Sequence, residues 1–343
     1  MANKFVKIMY KNPVFRLGLV FAPLLGFKSG KFSMRTGGNI IKIHGALPNV
    51  DCGACGYATC LAFARAVAEG KALPTGCVPG GPAVAHAIGD ILGVPITMAD
   101  PLMAVVHCKG GTKEATQRFV YEGIADCHAA IIAQNGPKTC RDGCLGLGSC
   151  VSACPFNAIA ISDNKIAVVN PDACTGCGMC VKACPRAIIE LIPRVHKIFL
   201  ACVNHDRGSR VKNYCTMGCT ACTQCVKATL SGAITMENSL PVLDYASGEN
   251  FIVAAHTCPS DCFMDLVKFR PKVNIDAKCD GCGECVSSCP TAAITGEKGK
   301  RHVVNKEKCI GCGLCLNTCP VHAIAMWGGL GYVEDSRRRV TRS

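Results

Sequence analysis

The chain has 343 residues, a formal net charge of +13 and 29 cysteines, with only 6% aromatic residues. An odd number of cysteines in closely spaced loops argues against a disulfide framework, so we expect metal-bound thiolates in a reducing compartment. Metal-bound thiolates are negatively charged and offset the formal positive charge of the chain. We therefore expect no binding to nucleic acid.

The N-terminal segment, residues 1–45, combines basic and apolar residues. An apolar stretch from Leu17 to Phe27 follows several lysines and Arg16. It contains Pro23 and is too short for a helix that spans a membrane, and no small-residue cleavage site follows it. We predict a docking segment, for which peripheral membrane contact, binding to a partner and packing within the chain all remain open.

The first group of cysteines lies in a predicted domain at residues 46–100. It reads Cys52-x2-Cys55-x4-Cys60-x16-Cys77. Residues 58–69 have helical character, and the neighbouring glycines let the backbone approach a bulky inorganic group. We predict a single [4Fe–4S] cluster bound by these four thiolates, with a zinc knuckle as the alternative.

A connector is predicted at residues 101–136. The stretch MAVVHCKGG indicates a short buried strand that ends in a glycine turn, and a helix is predicted from Glu114 to Gln134. Cys108 and Cys127 lie on these two elements. Isolated cysteines on apolar faces usually serve packing, and we expect that role for both.

A two-cluster module is predicted at residues 137–195. It reads Cys140-x3-Cys144-x5-Cys150-x3-Cys154-Pro155, then Cys174-x2-Cys177-x2-Cys180-x3-Cys184-Pro185. The second half has the pattern of bacterial two-cluster ferredoxins, in which the fourth cysteine of each run binds the other cluster. This crosswise rule predicts two ligand sets: Cys140, Cys144, Cys150 and Cys184 for one cluster, and Cys174, Cys177, Cys180 and Cys154 for the other.

The middle module, residues 196–275, is degenerate. Cys219-x2-Cys222-x2-Cys225 is followed by Thr229, where the pattern expects a cysteine, and the second triplet is missing. Cys258-Pro259 remains, 33 positions after Cys225, close to the 34 positions from Cys150 to Cys184. We predict one cluster, held by Cys219, Cys222, Cys225 and Cys258, with Cys215 or Cys262 as the alternative fourth ligand.

The C-terminal module, residues 276–327, is regular and precedes a basic tail at residues 328–343. It reads Cys279-x2-Cys282-x2-Cys285-x3-Cys289-Pro290, then Cys309-x2-Cys312-x2-Cys315-x3-Cys319-Pro320. Crosswise ligation predicts two sets: Cys279, Cys282, Cys285 and Cys319, and Cys309, Cys312, Cys315 and Cys289.

These patterns predict an α+β fold: a small single-cluster domain followed by tandem ferredoxin modules, with six [4Fe–4S] clusters. Six such sites carry roughly −12, which brings the chain near neutrality. No G-x-G-x-x-G or P-loop motif is present, and we expect no catalytic site of the chain's own. Five cysteines remain unassigned: Cys108, Cys127, Cys202, Cys215 and Cys262.

Six stretches within residues 46–235 resemble the B subunit of Rnf-type electron-transport complexes. They are ALPNVDCGACGYATC, VVHCKGG, FVYEGIADC, CRDGCLGLGSCVSACPFNAI, CTGCGMCVKACPRAIIELIP and GCTACTQC. The resemblance implies an electron-transfer subunit that connects a soluble ferredoxin with a flavin- and NADH-handling partner, in a complex coupled to ion movement. Members of the family commonly begin with a spanning helix, which we do not find here, and this chain has a further C-terminal ferredoxin module.

The resemblance leaves alternatives open. The chain could instead be the electron-transfer subunit of a soluble oxidoreductase with a separate catalytic chain, or a redox-silent structural protein. We expect a cytoplasmic location, with the inner face of the membrane as the site of a larger complex.

Overall fold

The computed structural model describes residues 37–98, 100–229, 232–248, 251–267 and 269–327. The chain divides into two compact units. One contains the residues up to Pro101 together with Thr175–Cys177, and the other contains Leu102–Cys174 and the chain from Gly178 onward. Within the described residues, no helix is both long and apolar enough to cross a membrane. The predicted basic tail and most of the N-terminal docking segment lie outside the described residues.

The first unit is helical. Residues 37–46 are helical, and they precede α1 (Cys60–Ala68), a short 3-10 turn and α2 (Gly81–Leu92). The hydroxyl of Thr59 accepts a hydrogen bond from Ala62 N and so begins α1 in the predicted place. Phe63 is buried in the core of this unit. A β-carbon on Gly76 would lie 2.9 Å from the Phe63 ring, which explains a residue without a side chain there.

The second unit repeats one arrangement three times. Each module has an outer strand, a helix, an inner hairpin, a second helix and a returning outer strand. The two outer strands pair antiparallel with each other, and the hairpin strands do the same. Each module therefore consists of two similar halves, and each half contains two strands and one helix.

In the first module the outer strands are β1 (Leu102–Val106) and β4 (Ile189–Pro193). The helices are α4 (Ser149–Ser152) and α5 (Met179–Ala183), and the hairpin is β2 (Ile159–Ile161) and β3 (Ala167–Val169). Leu102 pairs with Pro193, and Val106 pairs with Ile189. Because β1 is the module's own outer strand, the predicted boundary at residue 137 divides a sheet.

The other modules repeat this order. The elements of the middle module are β5 (Ile198–Leu200), α7 (Gln224–Lys227), β6 (Ile234–Glu237), β7 (Leu240–Leu243), α8 (Ile252–Thr257) and β8 (Phe263–Asp265). Those of the C-terminal module are β9 (Lys272–Ile275), α9 (Glu284–Ser287), β10 (Ile294–Thr295), β11 (Val303–Val304), α10 (Leu314–Thr318) and β12 (Ile324–Trp327). The middle module therefore keeps the complete fold although it lacks one set of cysteines.

Two long insertions follow the first outer strands of the first and middle modules. The first, residues 107–139, contains α3 (Cys127–Ile132), and the second, residues 201–218, contains α6 (Ser209–Lys212). The helix predicted from Glu114 is therefore wrong before residue 127. Bridges Ala115↔Cys215 and Gln117↔Lys138 hold that part extended, and the carboxylate of Asp126 begins α3 by accepting hydrogen bonds from the first-turn amides.

Candidate metal centres

In the first unit, the four predicted cysteines come together. Burial raises the pKa of Cys77, and the neighbouring thiolates of Cys60, Cys55 and Cys52 raise it further. Because neighbouring thiolates repel one another, these thiols lose their protons readily only when a cation compensates the negative charge. Asp51 positions the start of α1 by accepting a hydrogen bond from Cys60 N.

The C-terminal module also brings each predicted set together. The thiolates of Cys279, Cys282 and Cys319 all raise the pKa of Cys285, after burial as the main cause. Burial raises the pKa of Cys315 to about 12. Its thiolate neighbours are Cys312, Cys309 and Cys289, and these four cysteines line one cavity.

Two glycines shape each ligand loop of this module. Gly281 and Gly283 have φ values of 73° and 89°, and Gly311 and Gly313 have 69° and 77°. This left-handed backbone is accessible to glycine at little cost. It turns the loop sharply, so that three cysteines in seven residues face one cavity.

Backbone amides donate hydrogen bonds to several predicted ligand sulfurs. Ala158 N lies 3.4 Å from Cys154 Sγ, and the equivalent amides contact Cys289 and Cys319 at 3.3 Å. In the first module, Ala104 N of β1 donates to Cys174 Sγ at 3.4 Å. These donors stabilise sulfur in its negatively charged form.

The structure brings together three members of the next predicted set, which consists of Cys154, Cys174, Cys177 and Cys180. Cys174 and Cys180 are buried in the core of the first module, and Cys154 packs against the same core. Cys177 is half-buried and belongs to the other compact unit.

The other set of the first module differs from the prediction. Burial, together with the neighbouring thiolates of Cys144, Cys127 and Cys184, raises the pKa of Cys150 to about 12. These four cysteines line one cavity, and Cys140 does not line it. The structure therefore places Cys127, which we expected to serve packing, where the predicted set had Cys140.

A regular spacing accounts for this exchange. Cys144 and Cys150 are six positions apart, as are Cys279 and Cys285, so Leu147 stands where the middle cysteine of a triplet belongs. Gly146 and Gly148 have φ values of 70° and 87°, matching the glycines of the regular loops. This six-residue interval was the signal that the sequence offered and that our prediction missed.

In the middle module, the predicted four cysteines also meet. Burial raises the pKa of Cys225 to about 11, and its thiolate neighbours Cys219, Cys258 and Cys222 contribute. Cys262 lies beside them, with its Sγ 3.3 Å from that of Cys258. The thiol and amide of Cys262 lower the pKa of Cys258 to about 6.

Cys262 lies four residues after the cysteine of Cys-Pro, the position that alanine has after Cys154, Cys289 and Cys319. Its amide contacts Cys258 as the alanine amides contact their cysteines, which favours Cys258 as the ligand. Thr229, at the missing ligand position, donates its hydroxyl proton to Cys225 O and Val226 O of its own helix.

Cys140 lies on a different cavity. The other cysteines on the wall of that cavity are Cys108, Cys202 and Cys215. All three were unassigned from the sequence, and Cys108 was expected to serve packing. Cys215 is thereby separated from the middle cluster site, where it was an alternative ligand.

The donor chemistry suits iron–sulfur clusters, which are bound by sets of four thiolates. Within the described residues, no three His, Cys, Asp or Glu side chains are placed to hold a single metal ion. Arg186 lines the Cys150 cavity, and its buried Nε has no hydrogen-bond partner. A negatively charged group in that cavity would compensate this orphaned cationic donor.

Comparisons with known proteins match the N-terminal group of cysteines and two of the three modules. A family model described as an Fe-S cluster matches residues 47–79, and a 4Fe-4S dicluster domain matches residues 138–191 and 271–326. Over 281 residues, the chain is 34% identical to the B subunit of the proton-translocating ferredoxin:NAD⁺ oxidoreductase complex of Clostridium ljungdahlii, covering 81% of this chain and 88% of that protein. The chain belongs to the family of Rnf complex B subunits.

Two further relatives support this membership. The B subunit of the Na⁺-translocating ferredoxin:NAD⁺ oxidoreductase complex of Acetobacterium woodii is 37% identical, over 74% of this chain and 76% of the relative. The B subunit of the ion-translocating oxidoreductase complex of Methanosarcina acetivorans is 33% identical, over 81% and 94%. The resemblance predicted from the sequence is confirmed, and these alignments are longer than the 46–235 region on which it rested.

Proposed function

We propose that this member of the Rnf family carries single electrons between a soluble ferredoxin and a flavin- and NADH-handling partner subunit. The observation that supports the proposal most strongly is the repeated arrangement of four thiols around separate cavities in one chain. The names of the relatives, as ferredoxin:NAD⁺ oxidoreductase subunits, supply the two redox partners.

We propose six [4Fe–4S] sites, for which the described geometry and the predicted pattern are the support. The proposed ligand sets are Cys52, Cys55, Cys60 and Cys77; Cys127, Cys144, Cys150 and Cys184; Cys154, Cys174, Cys177 and Cys180; Cys219, Cys222, Cys225 and Cys258; Cys279, Cys282, Cys285 and Cys319; and Cys289, Cys309, Cys312 and Cys315. Cys127 replaces Cys140 because it lies on the cavity wall with the other three.

When bound, the clusters supply one-electron redox chemistry, for which the protein sets position and potential. The thiolates hold the iron, and amides such as Ala293 N and Ala323 N donate to ligand sulfurs. Hydrogen bonds and nearby positive charges stabilise the more negative, reduced state and so raise the potential. Cys150 and Cys315 are buried, so their surroundings limit the access of water to the clusters. Solvent access in turn influences the reduction potential.

Anaerobic reconstitution tests this proposal. The full chain should contain about four irons per site, and a reduced low-potential ferredoxin should bleach its visible absorption and generate EPR signals of reduced clusters. Reoxidation by NAD⁺ should require the flavoprotein subunit, because we expect no nucleotide site in this chain. Zinc in place of iron, or clusters that a reduced ferredoxin leaves oxidised, would contradict the proposal.

A further inference from the structure

Four cysteines outside the six proposed sets share one cavity: Cys108, Cys140, Cys202 and Cys215. A β-carbon on Gly143 would lie 3.5 Å from Cys140 Sγ and 3.7 Å from Cys108 Sγ, so both sulfurs flank this glycine. A β-carbon on Gly110 would lie only 2.8 Å from Cys215 Sγ. The missing side chain of Gly110 therefore leaves room for the Cys215 sulfur, and Gly143 lies within contact distance of the sulfurs of Cys140 and Cys108.

The four cysteines are related by the repeat of the modules. Cys108 follows the last residue of β1 by two positions, and Cys202 follows the last residue of β5 by two. Cys140 precedes Cys144 by four positions, as Cys215 precedes Cys219. Each module thus contributes an equivalent pair of cysteines, and the two pairs meet at a cavity within the second compact unit.

The hydrogen bonds repeat in the same way. Cys144 N donates to Cys108 Sγ at 3.3 Å, and Cys219 N donates to Cys202 Sγ at 3.3 Å. Both amides belong to the first cysteine of a ligand loop. These contacts match the amide–sulfur distances at the proposed ligands Cys289 and Cys319, and they are the contacts that a negatively charged sulfur requires.

A buried cation lies on the same wall. Lys138 is only 2% exposed, and its Nζ donates to Gly110 O at 2.7 Å. Among the described residues, no carboxylate forms an ion pair with it. An unpaired buried ammonium group is unfavourable, whereas a four-thiolate cluster, with a charge of roughly −2, would compensate it.

We propose that Cys108, Cys140, Cys202 and Cys215 bind a seventh [4Fe–4S] cluster, which joins the first and middle modules. The choice of iron over another metal rests on the proposed function. With this site, 28 of the 29 cysteines are ligands, and Cys262 alone is left over. The insertions at residues 107–139 and 201–218 then have a common role, because the first carries Cys108 and the second carries Cys202 and Cys215.

Native mass spectrometry of the anaerobically reconstituted full chain counts the clusters directly. We expect seven clusters, about 28 irons per chain, in the unaltered protein. Cys215→Ala should remove one cluster, and the double variant Cys202→Ala/Cys215→Ala should also remove only one, since both residues serve one site. Met217→Leu, a change on the same cavity wall that removes no thiolate, should retain seven.

Six clusters in the unaltered chain would overturn the proposal without requiring any variant to fold. An unchanged count in Cys215→Ala, or a loss of one zinc ion in place of four irons, would also overturn it. These outcomes are distinguishable from failure of the proposed function: six clusters that a reduced ferredoxin reduces would leave that function intact, whereas a chain without iron would remove both.

Discussion

The first and C-terminal modules share one fold but use their cysteines differently. In the C-terminal module, β9 ends at Ile275 and Cys279 follows almost at once, so the loop supplies three ligands in succession. In the first module, residues 107–139 separate β1 from Cys140, and the loop has Leu147 at its middle ligand position. The missing thiol comes from Cys127, at the start of α3 in the insertion.

With the ligand sets proposed above, this difference explains how a ferredoxin module could hold another metal centre and keep its fold. An insertion that supplies the middle ligand leaves the sharp loop of Gly146 and Gly148 unchanged. Cys140, just before that loop, then faces the cavity that it shares with Cys108. The middle module has the same kind of insertion, although its loop keeps all three cysteines.

The largest effect is expected from paired substitutions in the first module. Cys127→Ala/Cys144→Ala removes two ligands of one proposed site and should cost one cluster, about four irons. Cys127→Ala/Cys140→Ala affects two sites and should cost two clusters. If Cys140 were instead the fourth ligand beside Cys144, then Cys140→Ala/Cys144→Ala would cost one cluster and Cys127→Ala none. Native mass spectrometry distinguishes these patterns, and Cys279→Ala/Cys282→Ala in the C-terminal module provides the one-cluster reference.

A glycine pair tests whether Cys215 is held by a metal. The β-carbon of Gly110→Ala would lie 2.8 Å from Cys215 Sγ, whereas that of Gly143→Ala meets only ordinary contacts at 3.5 Å or more. A free thiol can rotate away from such a contact, but a ligand cannot. We expect Gly110→Ala to lower the stability of the reconstituted protein by about 1–3 kcal/mol and Gly143→Ala to have a much smaller effect, measured by denaturant unfolding under anaerobic conditions. Equal stability of the two variants would indicate that Cys215 is free to move.

Substituting the two cations tests the charge of the neighbouring sites. Lys138→Met removes a fully buried positive charge from the Cys108 cavity, and Arg186→Met removes a half-buried one from the Cys150 cavity. Reduction adds negative charge, so losing either cation should lower the midpoint potential of one cluster, on the order of tens of millivolts. EPR-monitored redox titration measures the shift, which we expect to be larger for Lys138→Met. A potential that rises, or no change in any cluster, would contradict this assignment of charge.

Most of the ligand sets were predicted from the regular spacing of the cysteines. Cys279 and Cys319 lie 40 positions apart, yet crosswise ligation follows from their local patterns because each half-module builds the same loop and helix. Cys127 could not be placed in this way, since its position depends on how a 33-residue insertion folds back over the module. The helix predicted from Glu114 failed for the same reason: pairing of Ala115 with Cys215 overrides local helix preference.

The smallest expected effect concerns the end of β1, where the chain enters the insertion at residues 107–139. His107 Nε2 lies 2.9 Å from Glu190 Oε2 on the partner strand, and this hydrogen bond lowers the pKa of Glu190. Because the Glu190 carboxylate is largely exposed, Glu190→Gln should cost only about 0.2–1 kcal/mol near neutral pH. A lowered pKa means that this stabilisation is present above the usual glutamate value of about 4.3 and is lost as the pH falls through the folded value. The unfolding free energies of the two proteins should therefore converge in acid, and a gap that widened as the pH fell would show that Glu190 contributes in another way.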